Sequence, residues 1–219
     1  DKSVGLYLIQ LVAGERSFFY WRSDSAARSL ASDPMPLKAA LSCADVVYFS
    51  GITLAILVPA ERSNLLDALY RFRTAGGIVV FDPNLRPKLW ASPSEMTKAV
   101  MQAASVSDIA MPSFDDEVQW FGDDSPEATI QRYAAAKVGC CIVKNGSGTI
   151  TARDGTQRMI CDPIQNVTLV DSTAAGDSFN AGFIAARLKG SDLREAVQAG
   201  ASLSAQVISK FGALVDVAV

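Results

Sequence analysis

Short apolar segments with the length of buried strands alternate with helical segments along most of the chain. Residues 46–49 and 78–81 are continuous apolar runs, which predict strands that are buried on both faces of a sheet. Between them a helical segment begins at Pro59 and ends at Gly76 and Gly77, with leucines recurring on one face. Because a parallel strand pair needs such a helical crossover, the alternation predicts an α/β fold with a doubly wound, mostly parallel sheet.

The first segments of the chain follow a different pattern. Residues 5–12 and 17–22 are rich in aromatic and aliphatic side chains and predict a small antiparallel β lid. We therefore expect lid strands in residues 1–31 and an α/β nucleotide- and substrate-binding domain in residues 32–219. Beyond residue 81 the pattern predicts strands at 108–111 and 140–143, a hairpin at 149–161, and helices at 93–104, 126–137, 177–188 and 193–209.

The composition excludes several classes of function. The 219 residues carry a formal charge of -3 without any run of Lys or Arg, which argues against a nucleic-acid surface. No apolar run approaches the roughly 20 residues of a membrane span. The chain has no histidine, which excludes Ser-His-Asp and Cys-His catalysis and most transition-metal sites. No Cys-x-x-Cys spacing occurs, so we expect four reduced core cysteines in a cytoplasmic protein: Cys43, Cys140, Cys141 and Cys161.

A loop of small residues, 171–177, runs directly into an apolar segment that is long enough for a buried helix. The first N–H groups of such a helix lack partners within it and favour an anion, usually a phosphate. Ala174, Ala175 and Gly176 let a polyanion approach the main chain, so they form a candidate anion hole. Asp177 would place a carboxylate where it can accept a proton from an attacking hydroxyl. The alternative is an ordinary helix with an acidic first turn, capped by Asp or Ser.

Polar segments follow three of the predicted strands, at the carboxyl ends where sheets of this class place their ligands. Glycines in the last segment would let a backbone approach a nucleotide, although they would also suit a plain turn before a hairpin. Neither a P-loop nor a dinucleotide-binding glycine pattern occurs in the sequence. The segments are residues 82–86, with Asn84 and Arg86, residues 111–117, with Ser113, and residues 144–149, with Lys144, Gly146 and Gly148.

The loop at 171–177 resembles the C-terminal signature of the ribokinase-like (PfkB) sugar kinases, Asp-Thr-x-Gly-Ala-Gly-Asp. Ser172 replaces the threonine and Ala174 the first glycine. The resemblance implies a ribokinase-like fold, ATP and Mg²⁺ as cofactors, and Asp177 as the catalytic base. It assigns no direct metal ligand. It also implies contacts to ATP from five residues: Asn84, Ser113, Lys144, Gly146 and Gly148.

Residues 14–22 and 82–90 resemble the branch of this family that phosphorylates the 6-hydroxyl of 2-keto-3-deoxygluconate, in sugar-acid catabolism of the Entner-Doudoroff type. Arginine forks suit the carboxylate of that substrate. The resemblance implies that five residues contact the substrate: Tyr7, Tyr20, Arg22, Arg86 and Asp177. For the tyrosines the alternative is strand packing, in which alternation places Tyr20 and Arg22 on one face and Trp21 on the other. For Arg86 it is a plain surface arginine.

The sequence departs from the family in two places. Many relatives carry Asn-x-x-Glu, a motif linked to water-mediated magnesium binding, where this chain has Ser113 and the shorter Asp116. The chain also begins well inside the family's length. We therefore expect a fragment without the N-terminal glycine-rich segment and acidic residue that grip the sugar.

Two alternative functions remain open. Another ribokinase-like kinase, such as a fructokinase or ribokinase, is disfavoured because a neutral sugar would leave Arg22 and Arg86 without an anion. A non-catalytic nucleotide- or sugar-binding relative is permitted by Ala174 and disfavoured by Asp177. The expected partners are a small sugar acid and ATP, with no nucleic acid and no membrane. The resemblance further implies a homodimer through an apolar face of the lid, formed by Leu6, Leu8, Phe19 and Trp21.

Overall fold

The computed structural model describes residues 2–12 and 15–217. The chain divides into two compact units, Asp1–Asp108 and Ile109–Val219. Each unit contains a pair of parallel strands joined through helices, and the first also contains a small antiparallel sheet. The predicted α/β class is therefore confirmed. The domain boundaries expected from the sequence, 1–31 and 32–219, remain predictions.

The first unit starts with the predicted antiparallel hairpin, formed by β1 (Leu6–Val12) and β2 (Glu15–Trp21). Tyr7 lies opposite Tyr20, and neighbouring pairs alternate between the two faces of the hairpin. Residues 13–14, between the strands, lie outside the described part of the chain. One face carries four apolar side chains that are 45–62% exposed: Leu6, Leu8, Phe19 and Trp21.

In the described residues of the first unit, two parallel strands and four α-helices follow the hairpin. In chain order they are α1 (Pro34–Ser42), β3 (Val46–Ser50), α2 (Gly51–Ile56), α3 (Pro59–Thr74), β4 (Ile78–Asp82) and α4 (Pro93–Ser105), with short 3-10 helices at Ala26–Ser29 and Pro87–Leu89. The predicted crossover is α3, which buries Leu65 and Leu69 in the core. The sequence pattern does not predict α1 or α2.

The prediction that residues 46–49 are buried on both faces is wrong. In β3 only Phe49 is buried, where its ring stacks on that of Phe81 at 4.8 Å, whereas Tyr48 is 42% exposed. Within the part of the chain that the structure describes, β3 pairs with β4 alone, so one of its edges has no strand beside it. The same prediction is confirmed for β4, which is buried from Val79 onward. An apolar run therefore indicates a strand without showing how much of it is covered.

Residues 109–217 of the second unit form four strands and four helices. In chain order they are β5 (Ile109–Ala110), α5 (Phe114–Phe121), α6 (Pro126–Ala135), β6 (Cys140–Val143), β7 (Ile150–Asp154), β8 (Gln157–Cys161), α7 (Ala175–Leu188) and α8 (Leu193–Ile208). β5 and β6 are parallel, and β7 and β8 form the predicted hairpin about Gly155. The sequence pattern does not predict α5.

Two glycines allow α7 and α8 to pack closely. A Cβ on Gly182 would lie 2.9 Å from the carbonyl oxygen of Ala199, and one on Gly200 would lie 2.7 Å from that of Phe179. Both obstacles are backbone atoms, which do not move aside as a flexible side chain does. The two helices thus approach to a distance that only glycine permits at these positions. This packing fixes the helix that carries Asp177.

All four cysteines are free thiols. Cys140, Cys141 and Cys161 are buried as predicted, and burial raises the pKa of Cys140 to about 12. The prediction of a core position is wrong for Cys43, which is exposed in the loop after α1. Among the helices of residues 2–12 and 15–217, none has the length and hydropathy needed to cross a bilayer.

Candidate active site

One buried carboxylate holds the loop that precedes α7. Asp171 is 7% exposed and accepts hydrogen bonds from the N–H groups of Thr173, at 2.7 Å, and Gly212, at 3.0 Å. The N–H groups of Val170 and Asp171 both donate to the carbonyl oxygen of Ile208, the last residue of α8. The loop is thereby fixed to the C-terminal part of the unit, which gives the start of α7 a defined position.

The start of α7 presents unpaired backbone donors. Ala174, the N-cap residue, has the left-handed backbone conformation, with φ 61° and ψ 18°, which is uncommon outside glycine. The N–H group of Ala175 donates to Ser172 at 3.2 Å, so this member of the predicted anion hole is already bonded. Within the described residues, the N–H groups of Ala174, Gly176 and Asp177 have no hydrogen-bond partner. These three form the open donor set, from which the bond to Ser172 removes Ala175.

Asp177 lies in the first turn of α7, and its side chain is exposed. No residue in the described part of the chain forms a hydrogen bond or ion pair with its carboxylate. The helix has no side-chain cap, so the alternative of a helix capped by Asp or Ser does not describe this site. The hydroxyl of Ser178, the next residue, is already hydrogen-bonded, because its Oγ donates to the carbonyl oxygen of Ala174 at 2.7 Å. An unpaired carboxylate beside open N–H groups has the chemistry of a general base next to an anion hole.

Lys144 joins the end of β6 to the middle of α7. Its Nζ donates a 3.0 Å hydrogen bond to Oδ1 of Asn180, which is 1% exposed. A Cβ placed on Gly176 would lie 3.7 Å from the same Nζ, so the ammonium lies beside the loop. An isolated parallel bridge also pairs Lys144 with Ser113. The second unit therefore brings a positive charge next to the open backbone donors, an arrangement that favours a polyanion.

The glycines after Lys144 shape a tight turn. Gly146 has φ 51°, in the region that favours glycine, and the N–H group of Gly148 donates to Asn145 at 2.6 Å. A Cβ on Gly148 would lie 2.7 Å from Nδ2 of Asn145. The turn before the hairpin is therefore present, and a contact between these glycines and a nucleotide remains a prediction.

A buried ion-pair cluster connects α5 with α6. Glu117 is completely buried and accepts hydrogen bonds from Arg132, at 2.5 Å, and from the hydroxyl of Tyr133, at 3.1 Å. Arg132 also binds Asp123 at 2.5 Å. Burial raises the pKa of Glu117 to about 7, against the opposing attraction of Arg132. Because α5 begins directly after Ser113, the cluster helps to fix the segment that pairs with β6.

In the first unit, the lid brings together three of the predicted substrate residues. The guanidinium of Arg22 lies 4.3 Å from the ring centroid of Tyr20, and the ring of Tyr7 lies 6.4 Å from that of Tyr20. Trp21 pairs with Leu6 on the opposite face, as the alternation predicts. A guanidinium stacked on an aromatic face still presents its N–H groups along its edge, which suits a carboxylate.

Asn84 and Arg86 lie on one loop after β4. Asn84 has φ 36°, and Arg86 is exposed, with its Nη1 donating to the carbonyl of Leu85 at 2.8 Å. Leu85 itself is 3% exposed and anchors the loop in the core of the unit. The loop therefore combines one buried apolar anchor with an exposed cation. The contacts of Asn84 with ATP and of Arg86 with the substrate remain predictions.

The sequence patterns do not predict Asn180 or the cluster of Glu117 and Arg132. Asn180 follows Asp177 by three residues on a largely apolar helix, so the available signal is a polar residue at a buried helical position. Nothing in the sequence indicates that Glu117 and Arg132 meet, because they lie on different helices 15 residues apart.

The chain resembles known proteins over nearly its whole length. A 2-dehydro-3-deoxygluconokinase of Haemophilus influenzae is 41% identical over 219 residues, which cover 97% of this chain and 69% of that enzyme. The crystal structure of a PfkB protein from Polaromonas sp. JS666 is 29% identical, with a TM-score of 0.79, and the match covers 95% of this chain and 68% of that one.

A fructokinase of Xylella fastidiosa, solved with bound ATP, shares the fold. It is 22% identical, with a TM-score of 0.78, and the match covers 97% of this chain and 69% of the fructokinase. The profile of the pfkB family carbohydrate kinases matches residues 1–217. The chain therefore belongs to the pfkB family of carbohydrate kinases.

Proposed function

We propose that the protein is an ATP-dependent kinase that transfers a phosphoryl group to the 6-hydroxyl of 2-keto-3-deoxygluconate. The observation that carries this proposal is the unpaired carboxylate of Asp177, exposed beside the open N–H groups at the start of α7. The name of the relative from Haemophilus influenzae supports the choice of substrate. The reaction would yield 6-phospho-2-keto-3-deoxygluconate and ADP.

In this proposal Asp177 accepts the proton of the 6-hydroxyl as the oxygen attacks the γ-phosphorus in line. The N–H groups of Ala174, Gly176 and Asp177 donate to the oxygens of the transferred group, whose charge is stabilised without reorganisation of the loop. Lys144, held by Asn180, adds a positive charge beside the same loop. Each group acts from a fixed position, because Asp171 and the packing of α7 on α8 hold the loop.

Arg22 and Arg86 would hold the carboxylate of the substrate. Arg22 is oriented by its contact with the ring of Tyr20, and Arg86 is presented by the loop after β4. Guanidinium groups bind carboxylates through two parallel hydrogen bonds, whereas a neutral sugar offers no such anion. This difference would give the enzyme its preference for a sugar acid. Tyr7 would add a further contact from the lid.

The residues present are compatible with Mg²⁺ bound mainly by phosphate oxygens and water. In the part of the chain that the structure describes, no three acidic, cysteine or histidine residues lie together as a metal cage. The half-buried Asp116, in the first turn of α5, would reach the ion through water. When bound, Mg²⁺ neutralises charge on the phosphate oxygens.

We further propose that two copies associate through the lid. Its exposed apolar face, made of Leu6, Leu8, Phe19 and Trp21, has the composition of a surface that a partner covers. A second copy would present the same face, as a two-fold dimer requires. The four free thiols support a cytoplasmic location.

The direct test is ADP release by the full-length protein with Mg·ATP, measured in parallel on four acceptors. These are 2-keto-3-deoxygluconate, its decarboxylated analogue, fructose and ribose. We expect a strong preference for the sugar acid. Preference for a neutral sugar would still support kinase activity, but it would contradict the carboxylate-binding role of Arg22 and Arg86. ATP binding without turnover of any acceptor would favour a non-catalytic relative.

A further inference from the structure

The backbone after β4 passes directly over the first residue of α2. A Cβ built on Gly51 would overlap the carbonyl oxygen of Pro83 and would lie 3.0 Å from its carbonyl carbon. The obstructing atoms are main-chain atoms, so no rotamer change removes the overlap. Any residue other than glycine at position 51 would therefore displace the backbone at Pro83.

A second contact holds the same loop from β3. The hydroxyl of Tyr48 donates to Oδ2 of Asp82 at 3.2 Å, and Asp82 is 4% exposed. Ser50, which immediately precedes Gly51, is the strand partner of Asp82. The end of β3 and the start of α2 thus hold the last residue of β4 and the first residue of the loop from one side.

The loop carries the arginine that the sequence assigns to the substrate. Pro83 and Leu85 are buried and alternate with the partly exposed Asn84 and the exposed Arg86. Because Arg86 follows Pro83 by only three residues, a backbone displacement at Pro83 changes the position from which the guanidinium is presented. A shift of about 1 Å at a binding group is enough to lower catalytic efficiency by about 100-fold.

We propose that Gly51 and Tyr48 are positioning residues for carboxylate recognition by Arg86. Gly51 leaves the space in which the Pro83 carbonyl lies, and Tyr48 fixes the carboxylate of Asp82. Neither residue contacts the substrate; both act through the loop. This inference rests on the proposed function, in which Arg86 binds the carboxylate of the sugar acid.

The test compares kcat/KM for 2-keto-3-deoxygluconate and for its decarboxylated analogue, using the full-length protein and the variant Gly51→Ala. We expect kcat/KM for the sugar acid to fall by about 10- to 100-fold, mainly through KM, while the value for the analogue changes less than about threefold. Such a selective loss is not expected from a variant that is only less stable. An unchanged ratio between the two substrates would overturn the proposal.

Gly77→Ala is the matched control. Gly77 lies directly before β4, at the opposite end of that strand from the loop. A Cβ on Gly77 would overlap the ring of Phe72. This variant introduces the same methyl group, crowded by an aromatic side chain instead of by backbone, and it does not touch Pro83. We expect it to lower stability and to keep the ratio between the two substrates. A loss of discrimination as large as that of Gly51→Ala would overturn the proposal.

A double variant shows whether the effect of Gly51→Ala passes through Arg86. In an Arg86→Ala background, Gly51→Ala should lower kcat/KM for the sugar acid by less than about twofold, because the group it positions is gone. Fully additive effects would contradict the inference.

Tyr48→Phe keeps the ring and removes only the hydroxyl, so it remains informative if Gly51→Ala fails to fold. We expect it to reduce discrimination by about threefold, and unchanged discrimination would overturn the role of Tyr48.

The unsubstituted protein separates this inference from the proposed function. Equal kcat/KM values for the sugar acid and its analogue would overturn the proposed function and the inference together. A clear preference in the unsubstituted protein, retained in Gly51→Ala and in Tyr48→Phe, would overturn the positioning role alone.

Discussion

The ammonium of Lys144 and the side-chain amide of Asn180 form a 3.0 Å hydrogen bond that joins the end of β6 to the middle of α7, across 36 residues of sequence. Asn180 is buried, so its oxygen has a fixed position, and Lys144 is held beside Gly176 in the loop before the helix. A flexible lysine is thereby placed where the phosphates of ATP are proposed to bind. Asn180, which places the lysine, is not itself proposed to contact ATP.

Replacing Asn180 tests this relationship. Asn180→Ala removes the acceptor from a charged donor in a buried site, which should lower the free energy of unfolding by about 2 kcal/mol. The dissociation constant for ATP should rise about threefold, because Lys144 is no longer held beside the loop. Calorimetric titration with ATP provides the measurement. The same increase in a Lys144→Met background would show that Asn180 acts by another route.

Glu117 should make the stability of the second unit depend on pH. Its pKa in the folded state, about 7, exceeds the ordinary value of 4.5, so the folded protein holds a proton that the unfolded chain releases. The stabilisation is complete below pH 4.5 and is lost as the pH rises through 7, by at most ~3 kcal/mol. Urea unfolding at a series of pH values measures this loss.

The variant Glu117→Gln should remove most of that dependence, because an amide keeps hydrogen bonds to its neighbours and does not titrate. Asp67→Asn, at an exposed position of α3, provides the control and should leave the pH profile unchanged. A steep fall in stability between pH 4.5 and 7 that persists in Glu117→Gln would assign the effect to another group.

A charge on the apolar face of the lid should dissociate the proposed dimer. Trp21 is 59% exposed, and a lysine there would have to be desolvated in a two-fold interface, opposite its own copy. Trp21→Lys should therefore halve the mass measured by light scattering. Ile160→Lys places the same charge on another exposed apolar residue, on β8, and should leave the mass unchanged. A monomeric unsubstituted protein would contradict the proposal at once.

Much of the fold follows from local patterns. The lid, the crossover helix α3 and the hairpin of β7 and β8 are all predicted, because alternation, proline starts and glycine turns act over a few residues. The apolar run mispredicts the burial of β3, because the coverage of a strand depends on neighbours far along the chain. The start of α7 lies two residues before the predicted one because Ala174 adopts a left-handed conformation, for which a sequence rich in alanine gives no signal.

Within the candidate site, too, the sequence predicts some residues and not others. Asp177 and Lys144 are predicted, because a sequence signature and strand ends identify them. Neither Asn180 nor the contact of Gly51 with Pro83 is predicted, because each depends on a partner more than 30 residues away. Residues that bind a ligand are identified by short sequence motifs. Residues that position those binding residues are identified only by distances in the folded chain.

The decisive measurement for the role of Asp177 is turnover of 2-keto-3-deoxygluconate with Mg·ATP by the full-length protein and by the variant Asp177→Asn. The substitution keeps the size of the side chain and removes its basicity, so kcat should fall by about 10²- to 10⁴-fold while ATP affinity changes little. Full turnover in the Asp177→Asn variant would contradict the assignment of the base, and with it the proposed mechanism.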